Sequence, residues 1–254
     1  MDCRIKSGND DTDDARILPK AFSMSLKLFE LVGTDNTRPF SPYCWRTRMA
    51  LAHKGLGAET IPWCFTEKHA IAPHNSEKVP VLIDGETSVA DSWAIANYLE
   101  DRYPERPSLF GGEGGRAMAR MINWWGDIVT VGTLAPLIVA DIHSLLKPVD
   151  AVYFRESREA RLGKTFEELT AVRDTSVEGF RRALDPLRLT LRSQPFLGGT
   201  APNYADYIVF GGFQWARVVS PFKLLADNDP VYAWREKLLD AFEGMARKSP
   251  GFDV

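Results

Sequence analysis

The stretch Ser41-Pro42-Tyr43-Cys44-Trp45-Arg46 places a hydroxyl where a helix begins. Serine is favoured at the N-cap and proline at the first helical position. Trp45, Met49, Ala52 and Leu56 then recur at helical spacing, which predicts a helix from Pro42 to near Lys54-Gly55. The start of a helix gathers unpaired N–H groups and the positive end of the dipole, and both favour an anion. A serine hydroxyl beside them supplies one more donor, and the combination suits a thiolate. A free thiol has a pKa of about 8.5, so lowering it to about 7 takes roughly 2 kcal/mol. A hydrogen bond to a charged group contributes about 1.5–3 kcal/mol, and a helix start adds about 0.3–1 kcal/mol. Together they suffice without a general base, so Ser41 is expected to act as a donor and not as a nucleophile.

Other chemistry has less support. No Gly-x-Ser-x-Gly turn surrounds Ser41, and the only histidines are His53, His69, His74 and His143, without metal-ligand spacing. A plain N-cap is the alternative role for Ser41. Cys44 stands where the second thiol of a Cys-x-x-Cys pair would lie, but its partner position is Ser41, which disfavours a dithiol oxidoreductase. A small buried residue is the expectation for Cys44. Neither a metal site nor a phosphate loop is implied.

The elements that must position Ser41 follow from local pattern. Leu26 to Val32 is an apolar run fit for a buried strand, and Glu59 to Phe65 is a second. Thr66 to Glu77 is polar and predicts a loop or a broken helix. Pro80 to Ile83 and Ser88 to Ala90 flank Asp84-Gly85, a hairpin signal. A helix is predicted from Asp91 or Ser92 to Tyr103, stopped by Pro104. The order β-α-β-(α)-β-β-α fits a compact mixed α/β domain over residues 24–104. The Pro- and Gly-rich segment 105–115 marks a linker. Helical patterns then dominate residues 116–254: Ala117 to Val129, Tyr153 to Leu191 with breaks, Tyr204 to Val218, and Val231 to Met245. The fold class expected is α/β followed by an all-helical domain.

With 254 residues, 44% of them apolar, the chain can bury a sizeable core. A net charge of -3 argues against nucleic-acid and anionic-membrane partners. No apolar run approaches the roughly 18 residues that span a bilayer. The longest candidate, Val129 to Ile142, holds Gly132, Thr133 and Pro136 and is expected to be an interior helix. Cys3, Cys44 and Cys64 give no disulfide framework, so a reducing, cytoplasmic compartment is expected. Residues 1–23 are acidic and without apolar periodicity, and an unstructured extension is the expectation there.

The first domain, with its Ser-Pro-Tyr-Cys helix start, resembles the thioredoxin fold with the first cysteine replaced by serine. Joined to an all-helical domain, residues 25–250 resemble a cytosolic glutathione S-transferase. Lys78-Val79-Pro80 is similar to that family's cis-proline element, Asp91-Ser92 to its acidic-Ser pair, and Asn203-Tyr204-Ala205-Asp206 to its helix cap. Within the family, Ser41 to Arg48, Asp91 to Phe110 and Tyr153 to Leu169 resemble β-etherase-like transferases. A weaker resemblance is to zeta-class maleylacetoacetate isomerases, which share the Trp-Arg-x-Arg helix but have a Ser-Ser-Cys lead-in where this chain has Phe40-Ser41-Pro42.

The resemblance implies glutathione as co-substrate. Ser41 is then the catalytic hydroxyl, Val79 pairs its backbone with the peptide, and Asp91 and Ser92 hold the γ-glutamyl end. Lys78 pairs with a glutathione carboxylate or is simply solvated, and ordinary capping is the alternative for Asp91 and Ser92. Pro80 begins a strand, where its missing N–H costs little. An apolar aromatic substrate is expected between the domains. Trp124, Trp125, Ile128, Leu134 and Ile138 are apolar enough to line its pocket, although a helical core is the better expectation for each. Arg46 and Arg48 are expected in structural ion pairs and Trp45 in the core. Reversible isomerisation and non-catalytic carriage of apolar ligands are the rival functions. A homodimer is implied by the resemblance alone.

Overall fold

The computed structural model describes residues 26–254, so the predicted extension at 1–23 lies outside the described residues. The first domain is a four-stranded mixed sheet with strand order β2-β1-β3-β4. Strand β1 (Leu26–Leu31) runs parallel to β2 (Ala58–Trp63) and antiparallel to β3 (Val81–Asp84), which pairs with β4 (Thr87–Ala90). Buried Leu26, Leu28, Phe29 and Leu31 on both faces of β1 mark it as a central strand covered on each side. The predicted hairpin is closed by Gly85-Glu86, with Gly85 at φ +62 as a tight turn between paired Asp84 and Thr87 requires. Helix α1 (Pro42–His53) and helix α3 (Ser92–Arg102) pack together beside the sheet. The polar segment between β2 and β3 forms a short helix, α2 (Lys68–Ile71), and one 3-10 turn, Ala72–His74.

The second domain is helical, as expected. It comprises α4 (Glu113–Trp125), α5 (Gly132–His143), α6 (Pro148–Leu162), α7 (Phe166–Ala171), α8 (Arg173–Ala183), α9 (Asp185–Leu191), α10 (Tyr204–Val219) and α11 (Pro230–Lys248). Two expectations need correction. The predicted linker ends early, because α4 starts at Glu113 and takes in Gly114 and Gly115. A π-helical turn, Gly126–Val131, also carries α4 directly into α5. The resulting helix, Glu113–His143, is long and apolar enough by length and composition to cross a membrane, with a mean hydropathy of 1.4 over an 18-residue window. Gly126 begins the π turn and Gly132 begins the helix that follows it. Leu134, Leu137, Ile138, Val139 and Ile142 of α5 are buried in the core of the helical domain.

Helix α10 is buried along its whole length and packs chiefly against α1. Its start is fixed by a capping box: the Asn203 N–H donates to Asp206 Oδ2 at 3.1 Å, and Asn203 Oδ1 accepts from the Ala205 N–H at 2.9 Å. Asp206 also accepts from the N–H groups of Leu197 and Gly198 and from the Trp234 indole, at 2.7, 2.9 and 2.8 Å. Burial pushes its carboxyl above the usual range, while these donors pull against that shift. One glycine sets the distance between the domains. A Cβ placed on Gly211 would lie 2.5 Å from the carbonyl oxygen of Pro42, in the first turn of α1.

Gly211→Ala therefore forces backbone apart at the start of α1. The expected loss is about 2 kcal/mol of stability, read as a lowered midpoint in urea unfolding.

Candidate functional site

Ser41 is 3% exposed and is the N-cap of α1, with extended backbone at φ -78 and ψ 128. Its Oγ accepts from the Cys44 N–H at 3.3 Å. A hydroxyl that accepts in this way keeps its proton free to donate elsewhere. Capping and donation are therefore compatible at one residue. Cys44 lies fully buried one turn into α1, where burial pushes its thiol up to about 12 and favours the neutral form.

The Val79-Pro80 peptide bond is cis, and Pro80 immediately precedes β3. Among the described residues, the backbone N–H and C=O of Val79 make no protein hydrogen bond, which leaves both for an extended peptide. The Asp91 N–H donates to the Pro80 carbonyl at 3.2 Å, so the hairpin brings Val79, Pro80, Asp91 and Ser92 together. Asp91 adopts a positive φ of 78 and caps α3, with Oδ1 accepting from the N–H groups of Trp93 and Ala94 at 2.9 and 3.0 Å. Its carboxylate is exposed, whereas Ser92 is buried and its carbonyl accepts from the Tyr204 hydroxyl of α10 at 2.7 Å. Lys78 is exposed, and its N–H donates to Ser76 Oγ at 3.2 Å. Two shallow concavities of about 530 Å³ lie elsewhere, one walled by Ala140, Arg155 and Phe166 and the other by Arg181, Lys223 and Leu225. Neither includes a predicted site residue.

Arg46 and Arg48 both form ion pairs. Arg46 is fully buried and reaches out of α1 to Asp127 Oδ1 at 2.8 Å, the Ile208 carbonyl at 3.1 Å and Asn123 Oδ1 at 3.3 Å. Arg48 pairs with Glu30 of β1 at 3.1 Å. Two residues of interest escape sequence reading. Tyr43, in the first turn of α1, lies over the Arg46 guanidinium with 4.7 Å to the ring centroid. Burial pushes its phenol up, the negative charges of Asp127 and Asp91 add to that, and Arg46 and Arg161 oppose it. Tyr43 thus stands where charges from both domains meet, next to Ser41. Glu30 is buried on β1 with nothing local to announce it.

The expectation of a helical core for the five apolar residues is corrected in part. Leu134 and Ile138 are fully buried, Trp125 is half-buried, but Trp124 and Ile128 are 54% and 68% exposed. Helical periodicity names the apolar stripe without saying which part of it another element covers. Among the described residues, no group of three histidine, cysteine or acidic side chains is placed to hold a metal ion.

Comparison with known proteins settles the lineage of this arrangement. Residues 37–107 match the profile of the glutathione S-transferase N-terminal domain, and residues 117–236 match that of the C-terminal domain. The chain belongs to the glutathione S-transferase family. A zeta-class glutathione S-transferase of Euphorbia esula is 40% identical over 70 residues, which cover 26% of this chain and 31% of that protein. A glutathione S-transferase-like protein of Aspergillus flavus is 28% identical over 145 residues, covering 51% of this chain and 50% of that one. The chain thus aligns with a third to a half of the length of these two relatives. A glutathione S-transferase of Ceriporiopsis subvermispora, solved in complex with glutathione, superposes with a TM-score of 0.76 at 23% identity, covering 86% of this chain and 96% of that one. A glutathione transferase of Phanerochaete chrysosporium gives 0.70 at 25% identity, covering 87% and 92%. The fold is the glutathione S-transferase fold, a thioredoxin-like domain followed by a helical one.

Glu30 offers a test of the electrostatics beneath α1. Burial raises its carboxyl from 4.5 to about 7, against the pull of Arg48. A raised folded-state pKa gives stability that is complete below the unfolded value and is lost as pH rises through about 7. Glu30→Gln removes that dependence. The stability of the variant relative to wild type is expected to climb between about pH 5 and pH 8, by at most about 3 kcal/mol, in unfolding series at each pH.

Proposed function

We propose that the protein is a glutathione transferase in which Ser41 holds the glutathione thiolate and the thiolate attacks an aromatic electrophile. The observation that carries this reading is the geometry at Ser41: its oxygen is engaged by the Cys44 N–H, its proton is free, and it caps a helix whose dipole favours the same anion. The unpaired backbone of Val79 suits the peptide of glutathione, and the exposed carboxylate of Asp91 suits its amine. Ser92 completes the γ-glutamyl end, and Lys78 stands near enough in sequence to meet a carboxylate. The Ceriporiopsis structure, solved with glutathione, supports the choice of co-substrate.

The finer proposal is cleavage of a β-aryl ether. The thiolate sulfur forms a bond to the β carbon, the carbon–oxygen bond breaks, and the aryloxide leaves with the bonding pair and takes a proton from solvent. The likeness of residues 41–48, 91–110 and 153–169 to β-etherase-like transferases supports this reading over generic conjugation. The zeta-class relative favours, as a second reading, reversible addition of glutathione to a double bond. The lead-in Phe40-Ser41-Pro42 speaks against it.

A homodimer is part of the proposal. Met118, Met121, Trp124 and Ile128 form an exposed apolar stripe along α4 and the π turn, with Arg120 set between the rings of Trp93 and Trp124 at 5.0 and 4.8 Å. Sedimentation of the double variant Met118→Asp, Met121→Asp is expected to show a monomer where wild type shows a dimer.

The thiolate absorbance of bound glutathione across pH tests Ser41. A thiol pKa lowered by more than about one unit in wild type, and restored in Ser41→Ala, is the expected result. Glutathione bound with an unshifted pKa in both proteins ends the catalytic reading and leaves a ligand carrier.

A further inference from the structure

Helix α6 lies across the end of β2. The Thr66 N–H donates to Asp150 Oδ1 at 2.8 Å, and the Phe65 ring meets those of Tyr153 and Phe154 at 6.2 and 5.4 Å. In its next two turns α6 carries Arg155, Arg158 and Arg161, three residues apart and so on one side of the helix. Arg155 is matched by Glu159 and Glu167 at 2.8 and 3.1 Å. Among the described residues, Arg158 and Arg161 have no carboxylate partner within ion-pair distance. The guanidinium of Arg158 is held between the rings of Phe65 and Phe154, at 5.0 and 4.7 Å, and donates to Ser157 Oγ at 2.9 Å.

This cation is half-buried, and burial, with the neighbouring Arg161 adding to it, pushes its pKa down. A guanidinium drawn out of water, set against a second cation and given no carboxylate is short of an anion. The Phe65 ring that Arg158 covers lies 6.2 Å from the ring of Phe40, the residue before Ser41, which places Arg158 beside the start of α1, at the edge of the seam where Ser41 lies. Two acidic groups across that seam have partners of their own, although Asp91 keeps its second oxygen free among the described residues. Asp127 is bound by Arg46, and Asp91 Oδ1 by two backbone N–H groups.

We propose that Arg158 and Arg161 form a carboxylate subsite on α6, which receives the carboxylate of an acidic aromatic electrophile while glutathione occupies the site at Ser41. The proposal rests on the transferase reading and names its substrate class. Planar guanidinium groups pair with a carboxylate in two-pronged geometry, and the half-buried ring of Phe65 provides an apolar wall for an aryl group. With a chloronitrobenzoate, the glutathione sulfur forms a bond to the ring carbon and chloride leaves with the bonding pair. The thiol proton passes to solvent. The carboxylate takes no part in the exchange and serves to orient the ring.

Glutathione's own glycyl carboxylate has the same chemistry, so the test separates the two sources. Calorimetry would compare wild type, Arg161→Gln and Arg158→Met with four probes: glutathione, γ-glutamylcysteine, and the glutathione conjugates of nitrobenzoate and of dinitrobenzene. Arg158→Met keeps the packing between the two rings and removes the charge. The expected result is a loss of about tenfold in affinity for the nitrobenzoate conjugate and less than about twofold for the dinitrobenzene conjugate. Equal losses for both conjugates and for glutathione, with γ-glutamylcysteine unaffected, assign the subsite to the glycyl carboxylate and overturn the acidic-electrophile assignment. Affinities unchanged for all four probes in both variants overturn the subsite and leave the transferase reading standing. Wild type that binds neither glutathione nor either conjugate overturns both.

Discussion

Arg46 carries a full positive charge into a place that water does not reach, and the two domains are arranged to make that tolerable. A guanidinium in the interior costs several kcal/mol unless its donors are met. Here two of its three nitrogens, Nε and Nη1, are met from the other domain, and Nη2 is left without a partner among the described residues. Asp127 and Asn123 come from α4 and the π turn, and the Ile208 carbonyl comes from α10. The side chain therefore works as a tie between α1 and the helical domain. It fixes the helix whose first turn presents Ser41. Two glycines let the tie close: a Cβ on Gly126 would lie 2.7 Å from Ile208 Cγ2, and one on Gly211 would strike the Pro42 carbonyl. The Tyr204 hydroxyl, bonded to the Ser92 carbonyl, makes a second tie at the other side of the site. In this way α10 touches both halves of the proposed glutathione groove while contributing none of its binding residues.

Features encoded over a few residues were legible in the sequence. Ser41-Pro42 announces the start of α1 because capping and a preset φ are local properties. Asp84-Gly85 announces the hairpin for the same reason. The cap at Asn203 and Asp206 could be recognised from spacing, although its depth could not, since Trp234, Leu197 and Gly198 reach Asp206 from elsewhere in the chain. The helical segments Ala117 to Val129 and Val129 to Ile142 already meet in the sequence, but the π turn that joins them is not visible in its periodicity. What makes Gly126 necessary is the approach of α10, where Ile208 lies 82 positions on. Arg46 was assigned an ion pair, but its partners lie 77 and 162 residues on for the hydrogen bonds to Asn123 and Ile208. The exposure of Trp124 and Ile128 has the same origin. Periodicity gives a stripe, and long-range packing decides which part of the stripe is covered.

Pairing also governs which charges can act at Ser41. Arg46 begins one turn beyond Ser41 on the same helix, and unpaired it would be a strong candidate for stabilising an anion there. At 2.8 Å from Asp127, however, it forms a nearly neutral unit whose field falls quickly with distance. Glu30 and Arg48 make a second such unit beneath the helix, with burial pushing the carboxyl toward its neutral form. Cys44, between them, is held as a thiol by burial first and by the charge of Glu30 next. The proposed thiolate then depends on directional elements: the Ser41 proton and the helix start. A hydroxyl hydrogen bond is worth more to a charged acceptor than to a neutral one, so it discriminates between thiolate and thiol where a distant ion pair does not. That is sufficient reason for a serine at this position. Arg158 and Arg161, two cations without an ion-pair partner among the described residues, lie on α6 beside Phe65 and Phe154. There their field draws in a second anionic group without competing for the sulfur.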